Sequence, residues 1–263
     1  MGIVAIKKKL AVKLLLTTSL ASLLITPPVF AEGTGDNQTP TDDIKTQEQI
    51  DALEEKEGDL EEFFRNKYKE ISREDIHELS TSEIQRIFRE DEKVRDIIGI
   101  KGFEQETSYW CGPATVKQVL HYINGSSKSQ KSYAKELGTT TDGTDFSLID
   151  DVLNDNQSKN KYVYTTHDSD QKYKFLDKIE YGIEHDYPVV LDLSIKPEYM
   201  PLYKKAVKGH ILNASGYDWR DWELRLTDPF DQGGRGVTLG NTWHPADGVW
   251  KANQNHFRSA VIW

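Results

Sequence analysis

Cys111 is the only cysteine in the chain, and it lies in the segment Gln105-Glu106-Thr107-Ser108-Tyr109-Trp110-Cys111-Gly112-Pro113-Ala114. A single cysteine cannot close an internal disulfide, so its thiol is free unless it bridges to another chain. The chain also opens with the marks of an export signal, and a free thiol outside the cell is open to oxidation and mixed-disulfide formation. A sulfur kept under those conditions points to a sulfur that is used. Gly112-Pro113 suits a helix start, and Ala114 to Ile123 reads as the helix that follows. A thiol placed there feels the positive end of the helix dipole, which favours thiolate. The competing reading is a buried small hydrophobe, which is how most free cysteines behave.

A thiol nucleophile needs a base to take its proton, a group that orients the base, and donors for the oxyanion. Among seven histidines, His210 stands out because it begins a strand-like run, Gly209-His210-Ile211-Leu212-Asn213-Ala214. Asp228 closes the next such run, Leu226-Thr227-Asp228-Pro229. A hairpin centred near Trp219 sets His210 across from Asp228, with Cβ atoms about 4.5–5.5 Å apart. The turn type is open, so the register could slip by one or two residues. Taken singly, the two have plain readings as a surface strand histidine and an Asp-Pro turn. The shared hairpin favours the pair. No His-x-x-x-His or Cys-x-x-Cys spacing occurs, and the other histidines considered (His121, His167, His185, His244, His256) are scattered among polar neighbours. No metal site or cofactor is therefore expected. The glycine-rich stretch at 231–236 follows no strand-to-helix pattern and reads as a turn rather than a phosphate loop.

The elements that must position these residues occupy 99–263, long enough for one full core. Helices are expected over Phe146 to Leu153 and Lys172 to His185, with a helical turn over Ser132 to Leu137. Val189 to Ile195, His210 to Tyr217 and Glu223 to Thr227 read as strands, and Val261-Ile262-Trp263 as a last edge strand. Helices first and antiparallel strands after give an α+β fold.

The N-terminal third differs in character. Residues 1–31 read as a signal peptide, with Lys7, Lys8, Lys9 and Lys13 before an apolar run from Leu14 to Ile25 and a cleavage site after Ala31. That run is shorter than the ~18–20 residues that span a bilayer, so the mature form is expected to be soluble and secreted, with no membrane association. Residues 32–44 read as a flexible linker. Residues 45–98 carry two amphipathic stripes, one on Ile50, Leu53, Leu60, Phe64 and Ile71. The other follows a capping-box pattern at Ser80 to Glu83 and uses Ile84, Ile87, Phe88, Val94 and Ile98, with Gly99 as a stop. Residues 32–98 hold 21 acidic against 10 basic residues, whereas 99–263 hold 22 against 19. An acidic chain without basic clusters is a poor candidate for nucleic acid or anionic lipid.

Gln105…Cys111-Gly112-Pro113-Ala114, then Gly209-His210…Gly216-Tyr217-Asp218, then Thr227-Asp228-Pro229, resemble a papain-like cysteine peptidase domain. More closely, residues from about Ile100 to Trp263 are similar to the branch of double-glycine leader peptidases of bacterial bacteriocin exporters and their secreted relatives. The resemblance implies Cys111 as nucleophile, His210 as base, Asp228 as the orienting acid and Gln105 as the oxyanion glutamine. Asn241-Thr242-Trp243 also resembles the Asn-Ser-Trp of papain, which makes Asn241 a second candidate for orienting the histidine. The exporters' membrane helices and ATPase have no counterpart here, so a peptide or protein substrate outside the cytoplasm is expected. Trp110, Trp219, Trp222, Trp243 and Trp250 are candidates for the walls of a cleft, with core packing expected for at least half of them.

The expected function is a secreted cysteine peptidase or amidase working through a thioester. Acyl transfer from the same site and a catalytically idle peptide-binding module are the alternatives. Residues 45–98 are expected to be a pro-region over the cleft or a partner-docking stalk, against a permanently packed helical extension.

Overall fold

The computed structural model describes residues 45–68, 80, 82–83, 94–231 and 234–263. The signal peptide and linker expected over 1–44, and most of the second amphipathic stripe, lie outside the described residues. Ser80 and Glu83 do form both capping-box bonds, Ser80 N–H to Glu83 Oε2 at 2.9 Å and Glu83 N–H to Ser80 Oγ at 3.4 Å.

A seven-stranded antiparallel sheet organises the molecule. Its strands are β1 (Arg95–Ile97), β2 (Tyr164–Thr166), β3 (Val189–Ile195), β4 (Val207–Asp218), β5 (Glu223–Asp228), β6 (Gly240–Pro245) and β7 (Ala260–Ile262). They lie in the order β2-β7-β3-β4-β5-β6, with β1 added to β4. Alternation along the central strands splits the core in two. Val189, Leu191, Leu193, Ile195, Leu212 and Ala214 face one cluster, while Val190, Ile211 and Ile262 face the other. The second cluster is closed by α2 (Cys111–Asn124), α3 (Gln130–Glu136) and α4 (Ile149–Asn156). The first is closed by α1 (Gln47–Lys67), α5 (Lys172–Glu184) and α6 (Ala246–Gln254).

Several expectations change. Arg95–Ile97, expected to end a helix, is a strand paired with Gly216–Asp218 of β4. β4 outruns β3, whose last rung is Val189 against Ala214, and the remaining edge is filled by β1. The approach is close: the Asp96 carbonyl oxygen sits 2.9 Å from where a Cβ on Gly216 would be, so only glycine fits. β7 is not an edge strand, since it lies between β2 and β3.

α1 starts on a complete capping box between Thr46 and Gln49. Leu60 is fully buried and Phe64 nearly so, in the same cluster as Trp263 and the apolar side of α5. Its polar contacts run along the same face. Lys67 bonds Glu180 and Glu184, Lys178 pairs with Glu57 at 2.8 Å, and Lys56 Nζ sits 4.9 Å from the Trp263 ring centroid.

Candidate active site

α2 begins at Cys111 itself, with Pro113 in the first turn, where its missing N–H costs nothing. Its seat on the sheet is set by one residue of β4. Pairing of β5 with β4 begins only at Asn213, which leaves the backbone of Ile211 open on that side. The Ile211 N–H donates to Cys111 Sγ at 3.4 Å, and Thr115, one helical turn on, donates its hydroxyl to the Ile211 carbonyl at 3.0 Å. Both backbone groups are buried and would otherwise be lost to hydrogen bonding. The thiol is thus fixed against the residue that follows His210. Gly209, at φ 60°, supplies the left-handed step into His210.

His210 and Asp228 meet, with Nε2 2.7 Å from Asp228 Oδ1 and both residues fully buried. The other ring nitrogen, Nδ1, has no hydrogen-bond partner among the described residues. The route to this contact differs from the expected one. The hairpin turns between Arg220 and Asp221 rather than near Trp219, a bulge between Ala214 and Gly216 takes back one residue of that offset, and the last rung pairs Asn213 with Thr227. Asp228 therefore lies one residue past the ladder and His210 three residues past it. They share a face and meet on the diagonal, not directly opposite.

Asp228 has further partners that the sequence did not reveal. The Phe230 N–H donates to Oδ1 at 2.8 Å, and the hydroxyl of Tyr203 donates to Oδ2. Tyr203 is buried, and burial, reinforced by the Asp228 charge, pushes its hydroxyl pKa well above the ordinary value. His244 lies behind it, ring centroids 5.7 Å apart. Burial lowers the His244 pKa to about 4 despite the opposing pull of Asp228, so its ring is neutral near pH 7.

Gln105 is held from both sides. Its N–H donates to the Pro229 carbonyl at 2.8 Å, which ties it to the residue after Asp228. The buried Gln130 side chain donates to the Glu104 carbonyl at 2.7 Å and accepts the Glu106 N–H at 3.0 Å. The Gln105 amide donates to the Thr107 carbonyl at 2.8 Å, while its Oε1 is buried without a partner among the described residues. Asn241 has other work. It lies on β6, accepts the Thr227 hydroxyl at 2.6 Å and donates to the Ile100 carbonyl at 3.1 Å. Of the five tryptophans, Trp219, Trp222 and Trp250 are in the core. Trp243 lies under the Arg95 guanidinium, 5.3 Å from its ring centroid, and half-buried Trp110 caps α2.

The arrangement is a helix-borne thiol bonded by the backbone N–H next to a strand-borne histidine that a buried carboxylate holds, and the sequence profile of the "Peptidase_C39 like family" matches residues 97–256. The chain belongs to this family. It is a cysteine peptidase, on the α+β arrangement of helices and antiparallel sheet expected from the sequence. Among solved structures it is similar to a double glycine motif protease from an AMS/PCAT transporter in complex with the leader peptide. That match has TM-score 0.40 and 11% identity and covers 64% of this chain and 91% of the other. The peptidase domain of Streptococcus ComA gives 0.41 and 18%, covering 63% and 97%. Xylellain, a cysteine protease from Xylella fastidiosa, gives 0.45 and 11%, covering 65% and 88%. No curated protein matches the chain.

Proposed function

We propose that this cysteine peptidase is exported, cleaves peptide or protein substrates, and works through Cys111, His210 and Asp228 with a thioester intermediate. One observation carries the reading. His210 is held through Nε2 by Asp228, its Nδ1 has no partner among the described residues, and the next residue along the strand bonds the Cys111 sulfur. Nδ1 takes the thiol proton, and the Asp228 carboxylate stabilises the imidazolium that forms. The thiolate attacks the scissile carbonyl. The Cys111 N–H, in the first turn where no intrahelical acceptor exists, and the Gln105 amide receive the oxyanion. Imidazolium then protonates the leaving amine, and water attacks the thioester, passing a proton back to His210.

The thiol and imidazole are fully buried, with the Phe230 ring 6.0 Å from that of His210, so a substrate must displace the groups over them. Export is supported by the basic start and apolar run of residues 1–31. α1 is read as a fixed part of the mature fold, because its partners are α5, the loop before β2 and the chain end, not the catalytic residues. The mechanism is tested by iodoacetamide labelling of Cys111 at pH 5–8, in the parent protein and in His210→Ala. A parent thiol that labels readily at pH 6, and a variant that labels only above pH 8, is expected. Identical pH profiles would mean an ordinary thiol and would remove the mechanism.

A further inference from the structure

Asp228 is buried completely, and its carboxylate meets three donors: His210 Nε2 and the Phe230 N–H on Oδ1, and the Tyr203 hydroxyl on Oδ2. Oδ2 has no other hydrogen bond described, whereas Oδ1 has two. A buried carboxylate oxygen without a donor is costly, and the carboxylate relieves that cost by taking a proton or by turning. Either change alters its hold on the imidazole. Tyr203 comes from the loop between β3 and β4, so the hydroxyl that completes the acid is delivered by the same connection that leads into the His210 strand. The Tyr203 ring is fully enclosed, with its centroid 6.4 Å from that of His210. Its hydroxyl stays protonated throughout the working range, because burial and the adjacent carboxylate both oppose phenolate. It is a donor that does not titrate.

We propose that Tyr203 is a positioning residue of the catalytic centre, whose hydroxyl holds the Asp228 carboxylate turned so that Oδ1 serves His210. The proposal rests on the catalytic reading above and adds a fourth side chain to it. Tyr203 touches Asp228, and His244 lies against the Tyr203 ring. His244 is neutral near pH 7 and bonds the Thr242 hydroxyl through Nε2 at 2.9 Å.

Tyr203→Phe keeps the ring and removes only the donor. One net hydrogen bond to a buried acceptor sets the scale, about five- to tenfold in the rate of Cys111 labelling at pH 6. In a Cys111→Ala background, the His210 ring followed by NMR shifts its titration by at least about half a unit when Tyr203 becomes Phe. The shift is upward if Asp228 remains ionised, since a carboxylate with fewer donors is a stronger base. It is downward if Asp228 takes up a proton and ceases to be a counter-charge. Either shift supports the proposal. An unmoved His210 titration would overturn it, even with lowered thermal stability, because that result describes a packing residue.

Asp228→Asn supplies the second arm. If Tyr203 acts through Asp228, adding Tyr203→Phe to Asp228→Asn changes the labelling rate less than twofold, whereas independent effects would multiply. Multiplying effects would overturn the proposal. His210→Ala separates the two levels. If it leaves labelling unchanged, the dyad itself fails. If it abolishes activated labelling while Tyr203→Phe does nothing, only the role of Tyr203 fails.

Discussion

Removing the anchor of α1 tests whether this helix is part of the fold or a detachable cover. Lys67 bonds two carboxylates of α5, Glu180 and Glu184, and Glu180 is fully enclosed. Replacing Lys67 with Met takes away the cation and leaves Glu180 only the Tyr68 hydroxyl at 2.7 Å and Trp219 Nε1 at 2.9 Å. Stranding one partner of a buried pair costs about 3–5 kcal/mol. The loss depends on pH in a known direction. Burial raises the Glu180 pKa above its unfolded value of 4.5, although Lys67 opposes the shift. A carboxyl raised in this way contributes stability that is fully present below the unfolded pKa and lost as pH rises through the folded one. Without Lys67 the folded pKa rises further, so the deficit of Lys67→Met is small at pH 4 and grows toward pH 8. Leu60→Ala, at a fully buried position, costs about 2–5 kcal/mol with no such slope. Urea unfolding followed by tryptophan fluorescence at pH 4, 6 and 8, each variant taken as a difference from the parent, separates the two. A chain beginning at residue 94 loses Leu60, Phe64 and the Lys67 cation together, about 6–11 kcal/mol. That rivals the whole stability of an ordinary domain, about 5–15 kcal/mol. The shorter chain is therefore expected not to fold cooperatively. A shorter chain that unfolds within a few degrees of the parent and labels Cys111 faster would refute this reasoning and make α1 a removable cover.

Lys56 is buried between α1 and the chain end, and its pKa falls from 10.5 to about 7 because burial penalises the ammonium. The unfolded chain binds more protons between those values, so this group makes stability rise with pH from about 7 to 10.5, and Lys56→Met should flatten that slope in urea titrations. Gln130→Leu removes both clamps on the peptide groups flanking Gln105 and should lower peptide turnover about tenfold. It should alter the pH dependence of Cys111 labelling little, since the thiol and imidazole are untouched. Asn241→Ala should cost about 1–3 kcal/mol in unfolding experiments through the lost Thr227 and Ile100 bonds while leaving the pH profile of labelling in place. A displaced profile would return Asn241 to the role of orienting acid.

What could be read in the sequence was local. The helix behind Cys111 announced itself through Gly112-Pro113 and the apolar stripe after it, and β3, β4 and β5 through their β-branched and aliphatic runs. β6 was missed because Gly240-Asn241-Thr242-Trp243-His244-Pro245 shows no alternation, and it is a strand because β5 offers it an edge. α6, which follows Pro245 and contains Gly248, was not anticipated in the sequence and packs on the sheet through Ala246, Val249, Trp250 and Ala252. The register failed by a countable amount: the turn centres between Arg220 and Asp221 rather than near Trp219, and the bulge between Ala214 and Gly216, which no residue type there signals, takes back one residue of the offset.

The site divides along the same line. The residues that would do the chemistry carry their identity in their types: one cysteine, a histidine entering a strand, an acid leaving the next. The residues that aim them do not, because each acts across a distance in sequence. Gln130 reaches back 26 residues to the Glu104 carbonyl, and Tyr203 reaches 25 forward to Asp228. A tyrosine in Met200-Pro201-Leu202-Tyr203-Lys204 is indistinguishable from a surface loop residue until the chain has folded over the sheet. Its burial then leaves the hydroxyl one use that satisfies both partners, which is the second oxygen of Asp228. The polar residues that support a buried catalytic pair are thus chosen by satisfaction in three dimensions, and a search for such groups belongs after the fold.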